Sequence, residues 1–189
     1  MYEITTEQLA FRRCHPDDFE AVMDIYSRPE VARMVASWPI PADPDLVRER
    51  CNPFPDENGI VGSVLKDDRV IGTIGCARKP EGDFGLGYGF HPDHWGRGYA
   101  TEMAFAVLER IFGRADCTLV TAGHYIDNPA SGRVLAKLGF RHSHTELCLS
   151  KGRGHKADCA EYTLARSDWL EFRTQVTYRQ AASAAKDMR

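Results

Sequence analysis

The run His94-Trp95-Gly96-Arg97-Gly98-Tyr99-Ala100-Thr101 sets two glycines and an arginine between a β-rich segment and a stripe of helical period. The first backbone N–H groups of a helix have no partner within it, and the helix dipole makes that end positive. Glycine at 96 and 98 lets a diphosphate approach the backbone without meeting a Cβ, and Arg97 adds charge. The segment reads as an anion cradle; a glycine-rich turn with no ligand is the plainer alternative. A Walker loop is excluded, because no Gly-Lys-Ser/Thr closes the run. Gly85-Leu86-Gly87-Tyr88-Gly89 is no dinucleotide fingerprint either, since it lies within a strand and not in a strand-to-helix turn.

Three further residues could do chemistry. Ser131 heads the stripe Ser131, Val134, Leu135, Leu138, so its hydroxyl points inward and needs a partner. That partner is either a bound ligand or the backbone of its own first turn. Asn128 stands where a helix cap belongs, and capping is the alternative to ligand binding there. His124 follows an expected strand at Cys117–Ala122 and carries the one side chain whose ordinary pKa suits a general base near neutrality. A structural histidine is the competing reading.

The elements that must position these groups follow from period and breakers. Leu9–Arg13 reads as a strand. A helix from about Pro16 carries Phe19, Val22, Met23 and Tyr26 on one face, and another covers Asp45–Arg50. Trp38-Pro39-Ile40-Pro41 is a loop. Ile60–Leu65 and Val70–Cys76 form a hairpin. In Phe84–Phe90 the large residues alternate with Gly85, Gly87 and Gly89, leaving one face of the strand bare. Either a ligand or a close helix packs directly on that backbone. The helix after Tyr99 carries Met103, Ala104, Val107, Leu108 and Ile111, with Gly113 where a left-handed cap is expected. A helix at Pro129–Leu138, strands at Arg141–Leu149 and Asp158–Ala165, and a helix over Ser167–Ala185 with a fraying end complete the chain. The order βααβββαβαββ predicts an α/β fold, a mixed central sheet of about seven strands flanked by helices, with a C-terminal helix. The expected division is a main unit over 1–166 and a helical extension over 167–189.

Composition bounds the partners. With 43% hydrophobic and 27% charged residues the chain can bury a core, and a net charge of -3 argues against binding nucleic acid through its phosphates. No apolar run is long enough for a membrane span, and the N-terminal residues lack a basic start followed by an apolar run. The six cysteines show no Cys-x-x-Cys pair and no histidine at zinc spacing, so no metal and a reducing, cytoplasmic setting are expected. Lys151–Lys156 reads as a solvated basic hairpin loop, with steering of an acidic group as the alternative.

Gly98-Tyr99-Ala100 closes a pattern that resembles the Q/R-x-x-G-x-G/A pyrophosphate motif of GNAT acetyltransferases. Leu86–Glu102 looks like the branch that includes ribosomal-protein N-terminal acetyltransferases, with Trp95 where the first Gln or Arg would stand. Asn128, Ser131 and Lys137-Leu138-Gly139-Phe140 are similar to a second segment of that branch, and the likeness spans residues 9–169. The resemblance implies acetyl-CoA as co-substrate, held by Phe90, His91, Gly96, Arg97, Gly98, Tyr99, Ala100, Thr101, Asn128 and Ser131. It implies a backbone N–H near Gly89–Phe90 that polarises the thioester, Ser131 as the acid for the leaving thiolate, and a neutral amine as the attacking group. The acceptor is a protein N-terminus or a small molecule, and a homodimer is allowed. Many relatives carry a glutamate where Gly85 stands here, so the base stays open between His124, Asp158 or Glu161 on the last strand, and water acting on an amine that arrives neutral. A catalytically silent acyl-CoA-binding module is the alternative function.

Overall fold

The computed structural model describes residues 1–175. Its elements are β1 (Ile4–Thr5), β2 (Ala10–Arg13), α1 (Phe19–Ser27), α2 (Pro29–Ala32), α3 (Pro44–Arg50), β3 (Gly59–Lys66), β4 (Arg69–Arg78), β5 (Phe84–Phe90), α4 (Tyr99–Phe112), β6 (Leu119–Tyr125), α5 (Pro129–Lys137), β7 (Arg141–Ser150) and β8 (His155–Ala165). A last helix, α6, runs from 166 to 175. The remainder of the helix expected to reach Ala185, with its fraying end, lies outside the described residues.

One eight-stranded sheet, in the order β1-β2-β3-β4-β5-β6-β8-β7, organises the molecule. Every pairing is antiparallel except β5 with β6. The mixed α/β sheet flanked by helices is the expected class with one strand added. β1 escapes sequence reading because two residues carry no period; its register, Ile4 opposite Phe11, places it. The β3–β4 turn is made by Asp67 and Asp68 at φ 48° and 61°. Two positive φ values are what a two-residue hairpin twisted with its strands requires.

The main core lies between the sheet and α4, α5 and α6. Phe84, Leu86 and Phe90 of β5 pack with Met103, Val107, Leu108 and Ile111 of α4. Trp169 of α6, beyond the boundary expected at residue 166, is fully buried and lies against Phe105 and Phe112 of α4. A smaller cluster on the other face joins Val22, Ile25 and Tyr26 of α1 to Val31, Trp38 and Val47. Asp18, almost wholly buried, is compensated: Arg12 donates to both its oxygens at 2.8 and 2.6 Å, and Ser63 donates at 2.7 Å. A buried charge is tolerated when its lone pairs are satisfied in this way.

Three local expectations need correction. Gly113 closes α4 in the right-handed region, φ -67°, because its N–H still bonds Glu109 and the chain turns onward through Arg114 N–H to Ile111. β6 begins at Leu119 and continues to Tyr125, so His124 lies inside the strand; pairing with β8, Tyr125 opposite Cys159, carries the ladder past Ala122. The basic hairpin loop is docked, not solvated along its length. Arg153 donates to both oxygens of Asp127 at 2.9 and 2.8 Å and to the Arg33 carbonyl at 2.9 Å, and Lys151 N–H bonds the Ala36 carbonyl.

Candidate active site

β5 and β6 pair only at Phe84 with Val120 and Gly85 with Thr121. Beyond Gly85 the two strands have no further pairing, and a cleft of 1160 Å³ is lined by residues from both faces of the sheet. Parallel pairing that stops after two residues leaves backbone donors and acceptors on that side of β5 available to a ligand.

On the face covered by α4 and α5, the start of α4 opens into this cleft. Gly98 caps the helix in the left-handed region, φ 84°, and supplies no side-chain bond to the first turn. α3 and α5, in contrast, are capped by Asp43 and Asn128. A Cβ at Gly96 (φ 73°) or Gly98 would meet nothing within 4 Å. Empty space at the two glycines, before first-turn N–H groups that have no partner within the helix, has the shape that the cradle expected from sequence requires. Gly96, Gly98, Tyr99, Ala100 and Thr101 line the cleft. Arg97 is exposed beside them. His94, on the cleft wall, has its Nδ1 buried without a partner among the described residues. Burial, with His91 and Arg97 nearby, pushes its pKa down and favours the neutral ring.

Ser131 turns inward from the first turn of α5, but its hydroxyl does not bond its own helix. It lies 2.8 Å from the Tyr88 hydroxyl, so a partner on β5 replaces the backbone. Burial pushes the Tyr88 phenol up to about 12, keeping its proton in place near neutrality. Asn128 accepts from Ser131 N–H at 3.3 Å, which is the cap, and still lines the cleft. Tyr88 was visible in the sequence only as one member of an alternation; its pairing with Ser131 needs the third dimension.

The opposite face carries the bare glycines, and the two readings of them divide. At Gly89 a Cβ would meet the Tyr26 hydroxyl at 2.5 Å, which is the close helix contact. At Gly87 it would meet nothing within 4 Å, so the strand face there stands open to the cleft. Tyr26 stacks on Trp38 at 3.7 Å with 6° between planes, and Arg50 lies over Trp38 at 4.2 Å. Trp38 thereby turns the proline loop into a cleft wall. Glu161 stands opposite Gly123 on this face; a Cβ on Gly123 would meet its Oε1 at 2.3 Å. Only a glycine leaves room for that carboxylate.

Two predicted residues stand apart from the Gly87 face. His124 lines the cleft from the α5 side, its Nδ1 2.8 Å from the Tyr125 carbonyl and its Nε2 3.4 Å from the Tyr162 hydroxyl. A Cβ on Gly132 of α5 would strike its ring at 2.7 Å. His91 lies outside the cleft: its N–H bonds the Ile71 carbonyl and its ring accepts from Asp93 N–H. Strand alternation explains the first and the β4–β5 edge the second. Asp158 lies outside the cleft lining as well.

Comparison with known proteins agrees with this geometry. A family model described as an acetyltransferase (GNAT) domain matches residues 8–141. The chain is 28% identical over 149 residues to the uncharacterized N-acetyltransferase YoaA of Bacillus subtilis (strain 168), covering 73% of this chain and 82% of that one. A crystal structure of a GNAT-family acetyltransferase from Bacillus anthracis superposes with a TM-score of 0.74 at 24% identity, over 88% of this chain and 99% of the other. RimL, a ribosomal L7/L12 alpha-N-protein acetyltransferase solved with coenzyme A, superposes with a TM-score of 0.72 at 14% identity, over 87% and 98%.

Proposed function

We propose, for a chain that belongs to the GNAT acetyltransferase family, that it transfers the acetyl group of acetyl-CoA to a primary amine by direct attack. The observation that carries this reading is the through-sheet cleft: a helix start with no side-chain cap and open glycines on one face, an open glycine and a carboxylate on the other. Two substrates entering from opposite faces meet where β5 and β6 part.

The residues divide the work accordingly. Tyr99, Ala100 and Thr101 offer N–H groups to the diphosphate, and Arg97 adds charge to the exposed rim. Backbone on the free side of β5 aligns the pantetheine arm and polarises the thioester carbonyl. The Ser131–Tyr88 hydroxyl pair supplies a proton toward the departing sulfur, Ser131 donating as it takes the Tyr88 proton and Tyr88 taking one back from water in the open cleft, so that the phenol is protonated again at the end of the turn. Glu161 is the better-supported proton acceptor for the amine, since it shares the Gly87 face that His124 does not. Tyr26, Trp38 and Arg50 form the wall against which the acceptor is oriented. An amine carried on a protein N-terminus or on a small molecule fits this wall.

The test is free-thiol release from acetyl-CoA over a panel of amines, paired with a melting curve. Acetyl-CoA binds only the folded chain and should raise the melting temperature. Turnover with at least one amine class is the expected result. A melting shift without turnover on any amine would convert the protein into a silent acyl-CoA-binding module. No melting shift at millimolar acetyl-CoA would remove the reading altogether.

A further inference from the structure

Beside the acceptor wall, three side chains from the two strands of the last hairpin converge. Cys148 of β7 stands opposite Ala157, and Cys159 and Glu161 follow on the same strand two residues apart each time. Partners directly opposite share a face, as do residues i and i+2, so all three side chains leave the sheet on the side of Gly87. Cys159 Sγ is 3.4 Å and Cys148 Sγ 3.8 Å from Glu161 Oε1. The three ligand atoms all lie within 4.8 Å of one another.

The two S···O separations match a tetrahedral ion, and the S···S separation falls within 4.8 Å. With Zn–S of ~2.3 Å and Zn–O of ~2.1 Å, tetrahedral angles require S···O of ~3.6 Å and S···S of ~3.8 Å. The set has two soft sulfur donors and one hard oxygen, the mixture a borderline cation prefers to magnesium or calcium. All three residues line the cleft, so a fourth coordination position would face the cleft and not protein. The linear sequence could not show this site, because its two cysteines come from neighbouring strands joined by a hairpin.

We propose that Cys148, Cys159 and Glu161 form a three-ligand site for a thiophilic divalent cation of the zinc class, with its open position in the acceptor half of the cleft. Binding releases the two thiol protons to solvent as the sulfurs coordinate, and no redox change occurs. The bound ion occupies Glu161, and therefore the acceptor path. That last consequence rests on the transfer reading above; the site itself does not.

The reduced full-length chain titrated with Co²⁺ under argon tests the proposal. One equivalent should produce a near-ultraviolet thiolate charge-transfer band and intense visible bands of four-coordinate cobalt, both discharged by one equivalent of Zn²⁺. Cys159→Ser and Cys148→Ser should each weaken binding by at least ~100-fold, since even partners outside the ligand shell are worth about 10–100-fold. Cys148, half-buried on the edge strand, is the safer variant should Cys159→Ser fail to fold. A wild-type chain without a thiolate band, or a Cys148→Ser chain with an unchanged band and affinity, overturns the site. Transfer should fall with one equivalent of Zn²⁺ and return with chelator. Cobalt binding with transfer unaffected would leave the site standing and remove Glu161 from the reaction.

Discussion

The two halves of the cleft are built by different rules. The cofactor half is contiguous: β5, the turn 91–98 and the start of α4 run in one stretch of chain, and α5 adds a second short segment. The acceptor half is assembled from α1, the Trp38 loop, β8 and the docked β7–β8 hairpin, segments far apart in sequence. The first is held by backbone conformation, positive φ at Gly96 and Gly98. The second is held by side chains: Tyr26 on Trp38, Tyr26 hydroxyl on Thr73 at 2.6 Å, Arg153 on Asp127. A site fixed by backbone can keep one ligand while a site fixed by side chains changes its specificity.

Placing the same substitution in each half gives the largest contrast. Gly98→Val puts a β-branched residue at φ 84° and a Cβ into the cradle, and should abolish the melting shift with acetyl-CoA. The strain adds roughly 1–2 kcal/mol of destabilisation on its own. Gly87→Val has no such strain, and its side chain enters open space on the acceptor face. It should keep the acetyl-CoA shift, gain a little stability from better strand propensity, and raise KM for the amine. Loss of cofactor binding in Gly87→Val with retention in Gly98→Val would invert the assignment of the two halves.

Next come the proton carriers, one from each half. Glu161→Gln keeps size and removes the acceptor, so kcat should fall by ~10²–10⁴-fold with KM for acetyl-CoA unchanged. The fall should shrink as pH rises and more amine arrives neutral. Ser131→Ala should cost less, because Tyr88 remains beside the vacated position; combined with Tyr88→Phe it should reach the full general-acid scale of ~10²–10⁴-fold. Wild-type kcat in the double variant would remove both hydroxyls from the mechanism. Equal pH dependence in Glu161→Gln and wild type would remove the carboxylate.

How much was legible beforehand follows the same division. The open glycine turn ahead of α4, the bare strand face and the inward aim of Ser131 were readable because each depends on residues within a few positions of one another. α4 and α5 announced themselves through period and Gly139, which does take φ 83°. Gly113 misled, because glycine after a helix permits the left-handed state without compelling it. Tyr88 with Ser131, Glu161 over Gly123, and Arg153 with Asp127 were illegible: each is a contact set by strand register or hairpin docking. The face to which His124 points was hidden by a strand end expected three residues early, although the residue does line the cleft.

The smallest expected effect concerns the clasp that holds the acceptor half. Asp127 receives two bonds from Arg153, with Arg33 also 3.4 Å away. The Arg153 hydrogen bonds, against a smaller opposing effect of burial, hold the Asp127 carboxyl below its ordinary 3.8. A carboxyl whose pKa is lowered by folding contributes stability that is fully present above the unfolded value. That contribution is lost as pH falls through the lowered folded value. Asp127 is partly exposed, so solvent screening limits the clasp to the ~0.2–1 kcal/mol of a surface pair. Asp127→Asn should therefore melt slightly below wild type at pH 7, and the two curves should converge below the ordinary carboxylate range. The variant should also raise KM for the amine more than KM for acetyl-CoA, since the clasp ties the hairpin to residues 33–36 and not to α4. A stability difference that persists unchanged into strong acid would show that the asparagine disturbs packing and not charge. Equal changes in both KM values would show that the hairpin supports the whole cleft, and the separation of the two halves would fail at its weakest joint.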